Sequence, residues 1–514
     1  MSLSNWIERQ ADFAPERCAL RFTDQELTYV QLAARIDQLS HALVTELEVR
    51  RGDRVAYLGL NSPEIISLLF ACSRIGAVLV PLNWRLAGPE HAYLLDHANP
   101  CALFVEPEFT DHVENISDSV GPALRVTCGE GRDGWIECDA LMSRSSGCSV
   151  SPDDSLPDDP VLLCYTSGTT GTPKGALLSN RALSWNAVNA THMHDLTSDD
   201  VVLTVLPMFH VGGLNIQTLP ALHAGATVVI HRRFELDAFF KSLAEDGITL
   251  SLLVPTIVHA LINDPRWETA DLSTLRMISV GSTVVPEQMV RAFGARGVPL
   301  VQVYGSTETA PIAAYMPVGE TVRRPASTGK TAMHCELRLV DEDGQDVAVG
   351  ERGEILIRGP NVMNGYWNDP DATRAAFTDR WFHTEDIAHR DSDGFLYIDG
   401  RTKDMIISGG ENIYPAVIEN VLSQCGAVAE VAVVGRPDDY WGEVVVAAVV
   451  PRGACRDAQT IMGFCEGRIA HYEIPREVIF VDRLPRNAMG KVEKDEVRKL
   501  VSAKMSDNRH SATA

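Results

Sequence analysis

Residues 163–175 read LCYTSGTTGTPKG. An apolar run ends at Tyr165 and is followed by Thr166, Ser167, Gly168, Thr169, Thr170, Gly171, Thr172, Pro173, Lys174 and Gly175. Its glycines let backbone N–H groups approach an anion closely, its hydroxyls add donors, and Lys174 adds a positive charge. The composition is that of a phosphate-holding loop. A Walker A loop is excluded by spacing, because Pro173 stands where the second glycine belongs and Gly175 replaces the final Ser or Thr. On composition alone, a Gly/Thr loop without a ligand is the competing reading.

Upstream and downstream of this loop, to about residue 240, strand-like runs (RVAYLGL, AVLVPLNW, ALFVEP, VVLTVLP, ATVVIHR) stand between helical patterns such as YVQLAARIDQLSHALVTEL. That alternation predicts parallel sheet covered by helices. The polar stretch from Cys128 to Pro160 is rich in turn formers and predicts an irregular surface passage. After about residue 325 the texture changes to short strands with turn signals, as in ELRLVDEDGQDVAVGERGEILIRG, which predicts a small antiparallel sheet or barrel. From residue 404 to about 505, mixed strand and helix patterns suffice for an α+β domain, and the polar tail 506–514 is expected to fray.

Global composition narrows the function classes. A net charge of −24 on 514 residues argues against nucleic acid or an anionic membrane surface as the main partner. The first fifteen residues carry Glu8 and Arg9 and lack a signal-peptide core. The stretch Ile248–Ile262 is interrupted by polar residues and too short to span a bilayer, so it reads as buried core and no integral membrane segment is expected. Eleven cysteines without a C-x-x-C pair indicate neither a zinc ribbon nor a dithiol, and their odd number argues against a disulfide framework. A reducing, cytoplasmic compartment is expected.

Further segments accompany the glycine-rich loop in order: LPMFHVGG at 206–213, YGSTE at 304–308, WFHTED at 381–386, GRTKDMIISGGENIYP at 400–415 and PRNAMGK at 485–491. With YTSGTTGTPKG they resemble the signatures of the adenylate-forming superfamily of acyl-CoA synthetases, luciferases and peptide-synthetase adenylation domains, over essentially the whole chain. The resemblance implies an α/β fold. A large N-terminal domain, 1–400, would contain parallel α/β subdomains and a small β-barrel-like part; a hinge at 401–403 would lead to a smaller mobile α+β domain, 404–505.

The resemblance also implies roles. Thr166, Ser167, Gly168, Thr169, Thr170, Gly171 and Lys174 would cradle ATP phosphates, with Gly281, Ser282, Tyr304, Gly305, Ser306 and Thr307 on the adenine side. Glu308, with Thr166, would hold Mg²⁺, a hard cation that takes oxygen ligands. Asp386 would accept from both ribose hydroxyls, as a carboxylate with two oxygens can, with Arg401 beside it. Lys491 would bridge the acyl carboxylate and the α-phosphate. Two anions must approach there, and positive charge must meet them in the transition state. The acyl pocket would draw on His210, Val211, Gly212, Gly213, Val280, Gly281 and Gly305, with the two glycines after Val211 leaving room. Rotation at Lys403 would withdraw Lys491 and bring Ser408, Gly409, Gly410, Glu411 and Asn412 to the pantetheine arm of CoA.

Two positions depart from the family pattern: Glu385 where T-G-D is usual, and Val417 where Glu is common. A second carboxylate at 385 would repel phosphate unless it points away. VGSTVVP at 280–286 fits the family's adenine-side pattern only weakly. The implied activity is ligation of a carboxylic acid, medium-chain or aromatic, to CoA through acyl-AMP, with ATP, Mg²⁺ and CoA as cofactor and co-substrates and small molecules as partners; a homodimer stays open. Loading of a carrier-protein thiol, luciferase-like oxygenation, and nucleotide binding with lost catalysis are the alternatives.

Overall fold

The computed structural model describes residues 3, 5–116, 123–145, 156–166, 173–282, 285–409, 411–438, 440–453, 456–487 and 491–512. Among these, the strands form four sheets. One follows the order Gly365–Tyr366, Lys174–Ser179, Pro160–Thr166, Val78–Pro81, Arg54–Leu58, Ala102–Val105, Leu124–Thr127, Ile136–Glu137. A second runs Lys330–Thr331, Ala314–Tyr315, Leu300–Tyr304, Met277–Val280, Leu250–Leu253, Val201–Thr204, Thr227–Ile230, Cys18–Phe22, Gln25–Thr28. The central strands of both are parallel and their edges antiparallel. Strands such as VLVP, ALFV and MISV are buried at every residue. Such strands are covered on both faces, which is why they read as continuous apolar runs.

One hydrophobic core joins the two sheets, with Leu79 and Leu162 from the first and Leu203, Leu250 and Val301 from the second. Helix Pro63–Ile75 lies inside that core with nearly every residue buried, Phe70 among them. Proline in its first turn and Gly76 in the left-handed conformation (φ 71°) bound it at either end. Helix Tyr29–Thr45 starts on a capping box, in which the Thr28 hydroxyl accepts from Gln31 N and the Gln31 side chain accepts from Thr28 N. It buries Leu32, Ile36, Leu39 and Leu43, one stripe at helical spacing. The stretch Ile248–Ile262 resolves into strand Leu250–Leu253 and helix Pro255–Ile262.

The expected antiparallel piece comprises Glu336–Val340, Gly353–Arg358, Trp381–Arg390, Phe377–Thr378 and Leu396–Arg401, around a small core of Leu339, Ile355, Ile357, Ala388 and Leu396. The final sheet holds Glu411–Ile413, Ile406–Ser408, Gly442–Pro451, Val428–Asp438 and Glu477–Phe480. Its residues alternate between two cores: Val433, Val445, Ala447 and Val449 face helices Pro415–Leu422 and Ala458–Cys465, while Val434, Val444, Val446 and Ala448 face Val497 and Val501 of helix Lys494–Ala512.

Two expectations need correction. Cys128–Pro160 is not wholly irregular: strand Ile136–Glu137 and helix Cys138–Arg144 stand within it, because Cys138, Leu141 and Met142 share a face that reaches the main core. The polar tail is in large part the end of helix Lys494–Ala512. Among the described residues, no helix is long and apolar enough to cross a membrane.

The burial of Phe70 gives a test of the shared core. Phe70→Ala removes a fully buried ring between the sheets and is expected to cost about 3–5 kcal/mol. Denaturant unfolding should show a lowered midpoint for the large lobe, with the transition of the separately cored C-terminal lobe left in place.

Candidate active site

The carboxyl ends of parallel strands converge on one crevice, the usual place for ligands in open α/β sheets. Leu300–Tyr304 ends in Tyr304, Met277–Val280 leads into Gly281 and Ser282, and Pro160–Thr166 ends in Thr166. The glycine-rich run joins two antiparallel strands in which Thr166 pairs with Lys174. It therefore closes a hairpin and does not open a helix, in keeping with the exclusion of a Walker A loop. Ser167, Gly168, Thr169, Thr170 and Gly171 lie outside the described residues, as does Gly410.

Asp386 is the electrostatic centre. It is 6% exposed, and its two oxygens draw on different parts of the chain. Tyr304 Oη donates to Oδ2 at 2.8 Å, and Arg401 Nε donates to Oδ1 at 2.9 Å. Burial and the adjoining carboxylate push the Tyr304 phenol up, so it stays protonated and donates. Asp386 in turn raises the Arg401 guanidinium further. Each carboxylate oxygen keeps a second lone pair, so acceptance from a vicinal diol remains open. Tyr304 thus does more than offer a ring to adenine: it holds the carboxylate.

Lys491 reaches this centre from the C-terminal lobe, and an exposed lysine is not what the structure shows. The side chain is half-buried, and its pKa is pushed down to about 8, first by desolvation and next by the Arg401 charge, against the opposing pull of Asp386 and Asp404. Its loop is pinned at both ends: Asn487 N donates to Lys491 O (2.8 Å) and Lys491 N donates to Asn487 Oδ1 (3.0 Å). The junction residues Thr402–Asp404 form a 3₁₀ turn that starts at Arg401. Lys403 is exposed, while Asp404 meets Arg498 of the terminal helix at 3.3 Å.

On the phosphate side, Glu308 sits in the first turn of Thr307–Thr309. Its Oε1 accepts from Tyr366 Oη at 3.1 Å, and Lys174 Nζ lies 5.2 Å from the centroid of the Tyr366 ring. Tyr366, absent from the sequence assignments, therefore links the glutamate to the loop lysine. Its signal was the N-G-Y-W run at 364–367, whose two-residue strand Gly365–Tyr366 pairs with Lys174–Ser179. Ser306 Oγ is buried and has no partner among the described residues, because the Thr309 hydroxyl takes the capping role. A lone buried hydroxyl and one hard carboxylate suit phosphate oxygens and Mg²⁺. Among the described residues no cluster of three or more His, Cys, Asp or Glu could cage a metal, so phosphate would complete the shell.

The acyl segment follows the plainer reading at two residues. His210 Nδ1 accepts from Gly212 N at 3.0 Å and caps a short turn, and burial lowers the imidazole to about 4, so it is neutral. Gly213 does not leave room: a Cβ there would lie 2.3 Å from the Pro207 carbonyl oxygen. Gly305 (φ 156°) is likewise held against the Pro311 carbonyl. Val211 and Val280 are fully buried walls, and Gly281 follows the strand that ends at Val280, next to Ser282, which adopts φ 77°.

Ser408, Gly409 and Glu411 stand on the hairpin of Ile406–Ser408 and Glu411–Ile413. The structure does not bring them to the crevice; the hairpin pairs within its own lobe, where Gly409 N donates to Trp441 O and Ser408 pairs with Gly442. Glu385 takes φ 58°, the left-handed backbone for which glycine is suited. Its side chain is exposed, its N–H donates to Glu354 Oε1 (3.1 Å) and its carbonyl accepts from Thr402 Oγ1 (3.2 Å). The glutamate keeps the glycine's backbone path. Nothing in the structure explains Val417, half-buried in helix Pro415–Leu422.

A crevice of oxygen acceptors, a loop lysine and a second lysine delivered by a separate lobe define an adenylate-forming class of fold. The profile of the AMP-binding enzyme family covers residues 7–367, and that of the AMP-binding enzyme C-terminal domain covers residues 417–491. The chain belongs to this AMP-binding enzyme family. It is 54% identical to an indoleacetate–CoA ligase of Aromatoleum aromaticum over 98% of this chain and 99% of the relative. A feruloyl-CoA synthase of an Amycolatopsis species is 41% identical, over 97% and 98%. The solved anthranilate CoA ligase AuaEII, in complex with anthranoyl-AMP, superposes with a TM-score of 0.91 at 27% identity, covering 98% of each chain.

Glu385 supplies a local test. A non-glycine residue in the left-handed region costs roughly 1–2 kcal/mol, partly offset by the extra freedom glycine brings to the unfolded chain. Glu385→Gly is therefore expected to stabilise by about 0.5–1 kcal/mol. The denaturant midpoint should rise; a fall would mean that the side chain itself is bonded.

Proposed function

We propose that this protein is an ATP-dependent aromatic acid:CoA ligase that works through acyl-AMP. The observation that carries the reading is the placement of Lys491, from the C-terminal lobe, beside Asp386 and Arg401. The full-length relatives named for indoleacetate and ferulate, and the neighbour holding anthranoyl-AMP, support an aromatic acid. A medium-chain acid has no such support among them.

In the first step a carboxylate oxygen attacks the α-phosphorus of ATP and pyrophosphate leaves. The acid is already ionised near pH 7, so no general base is needed. Lys491 neutralises the two approaching oxyanions, a stabilisation that grows as they close and so lowers the barrier. Asp386, fixed by Tyr304 and Arg401, would hold the ribose. Thr166 and Glu308 would hold Mg²⁺, which when bound offsets phosphate charge; Tyr366 orients Glu308 and Lys174 draws the phosphates inward. In the second step the CoA sulfur attacks the mixed anhydride, the thioester forms, and AMP departs with the electron pair. Lys403 would be the pivot, and the Ser408–Glu411 hairpin would replace Lys491 at the acyl carbon. A cytoplasmic enzyme is part of this reading, supported by the nine described cysteines, all free.

AMP release measured over short, medium, long and aromatic acids with ATP, Mg²⁺ and CoA tests the reading. Aromatic acids should head the series and yield thioesters. Lys491→Ala should reduce acid-dependent ATP–pyrophosphate exchange by about 10²–10³-fold while conversion of supplied acyl-AMP with CoA stays within a few-fold. Equal loss of both steps would remove the assigned role.

The pH profile gives a third check. Lys491 is depressed to about 8, so it is charged below that pH and loses its charge above it. The exchange rate at limiting ATP, which reports the free enzyme, should fall as pH rises through about 8. In Lys491→Arg that basic limb should vanish, because guanidinium stays charged.

A further inference from the structure

The segment that follows His210 carries polar side chains that the nucleotide and the hinge do not use. Leu214–Thr218 winds as a π-helical turn, a wider coil frequently found at functional sites. Within it Gln217 is 2% exposed. Among the described residues, its Oε1 has no hydrogen-bond partner. A buried acceptor left unpaired costs about 1–3 kcal/mol. Folding alone gives no return for that cost.

A chain of hydrogen bonds fixes which end of the Gln217 amide is free. His194 is fully buried, and burial drives it down to about 4, so it is neutral near pH 7. Its Nδ1 lies 2.8 Å from the Ala190 carbonyl, which can only accept, so Nδ1 carries the hydrogen. Nε2 is then an acceptor, and the Ser279 hydroxyl, 2.9 Å away, donates its single hydrogen to it. Ser279 Oγ can only accept from the Gln217 amide at 3.3 Å, so that end is the NH₂ group. The carbonyl end is left as an acceptor with nothing to accept.

The location of this amide gives it meaning. Gln217 stands on the same run as His210–Gly213, and Ser279 directly precedes Val280 and Gly281. The bond between them therefore ties together the two segments assigned to the acyl site. We propose that Gln217 is a specificity-determining residue, whose Oε1 accepts a hydrogen bond from an N–H or O–H group on the ring of the aromatic acid. The inference rests on the aromatic-acid reading. An indole nitrogen and a phenol both supply the donor; an aryl ring without one would bury the acceptor unpaired. Sites built around such a hydrogen bond reject the analogue that lacks it far more strongly than apolar pockets reject a size change.

Isosteric acid pairs test this. Indole-3-acetate against benzothiophene-3-acetate replaces the ring N–H by sulfur; 4-hydroxycinnamate against cinnamate removes a phenol. With ATP, Mg²⁺ and CoA, kcat/KM for AMP release should favour the donor-bearing member of at least one pair by about tenfold or more, and that pair tells whether N–H or O–H is the donor read. In Gln217→Met the ratio should collapse towards one. Overturning results are a wild-type enzyme that treats both members of both pairs alike, or a Gln217→Met enzyme that keeps the wild-type ratio. Should Gln217→Met fail to fold, the wild-type ratios decide alone. Absence of AMP release with every aromatic acid overturns the aromatic-acid reading and this inference with it; release that ignores the ring donor overturns this inference only.

Discussion

A buried carboxylate stays charged only where partners replace the water it has lost. Asp386 takes those partners from two places: Tyr304, which ends a strand of the larger sheet, and Arg401, which opens the turn into the C-terminal lobe. One ionic cluster thus registers the sheet that carries the nucleotide, the antiparallel piece that carries Asp386, and the junction about which the second lobe is hung. Had the aspartate been paired within its own sheet, it could report nothing about the junction. Because Arg401 is both ligand-side cation and junction residue, a change at the ribose is felt where the lobes meet.

Lys491 enters this cluster as an excess cation. Its depressed pKa records that desolvation and the Arg401 charge outweigh Asp386 and Asp404. An empty crevice is therefore a poor place for an ammonium group, and an anion brought into it makes the same place favourable. By linkage, whatever anion raises the affinity of the crevice for Lys491 is itself bound more tightly when Lys491 is present. Triphosphate and carboxylate together strengthen that hold. Departure of pyrophosphate weakens it, leaving the repulsion between Lys491 and Arg401 to favour withdrawal. The direction of the lobe movement follows from charge count, with no need of a separate trigger.

Much of this was legible in the chain itself, for identifiable reasons. Parallel strands covered on both faces leave uninterrupted apolar runs, so VLVP, ALFV and MISV announce themselves. Asp386, Arg401 and Lys491 were found through ordered motifs, since nothing local sets a functional charge apart from a solvated one. What stayed hidden depends on encounters between distant segments. Helix Cys138–Arg144 was masked by polar flanks, Tyr366 acquires its role only when its strand pairs beside the loop lysine, and Gly213 suggested pocket space although it answers to a neighbouring carbonyl. Glu385 was flagged by its charge, whereas its consequence is conformational.

The acyl side obeys the converse of the rule that governs Asp386. Where the nucleotide pocket compensates every charge in advance, the run after His210 carries one polar end uncompensated. Apolar residues at Gln217, Ser279 and His194 would pack between sheet and helix without any bond to satisfy. Keeping three polar groups there instead, in a relay whose hydrogens all point one way, polarises the terminal amide and strengthens its carbonyl as an acceptor. A relay of this kind stabilises nothing until its open end is filled. Its cost therefore falls on the free protein and is relieved only by a ligand with a donor at that point, which is how a buried acceptor turns folding energy into selectivity.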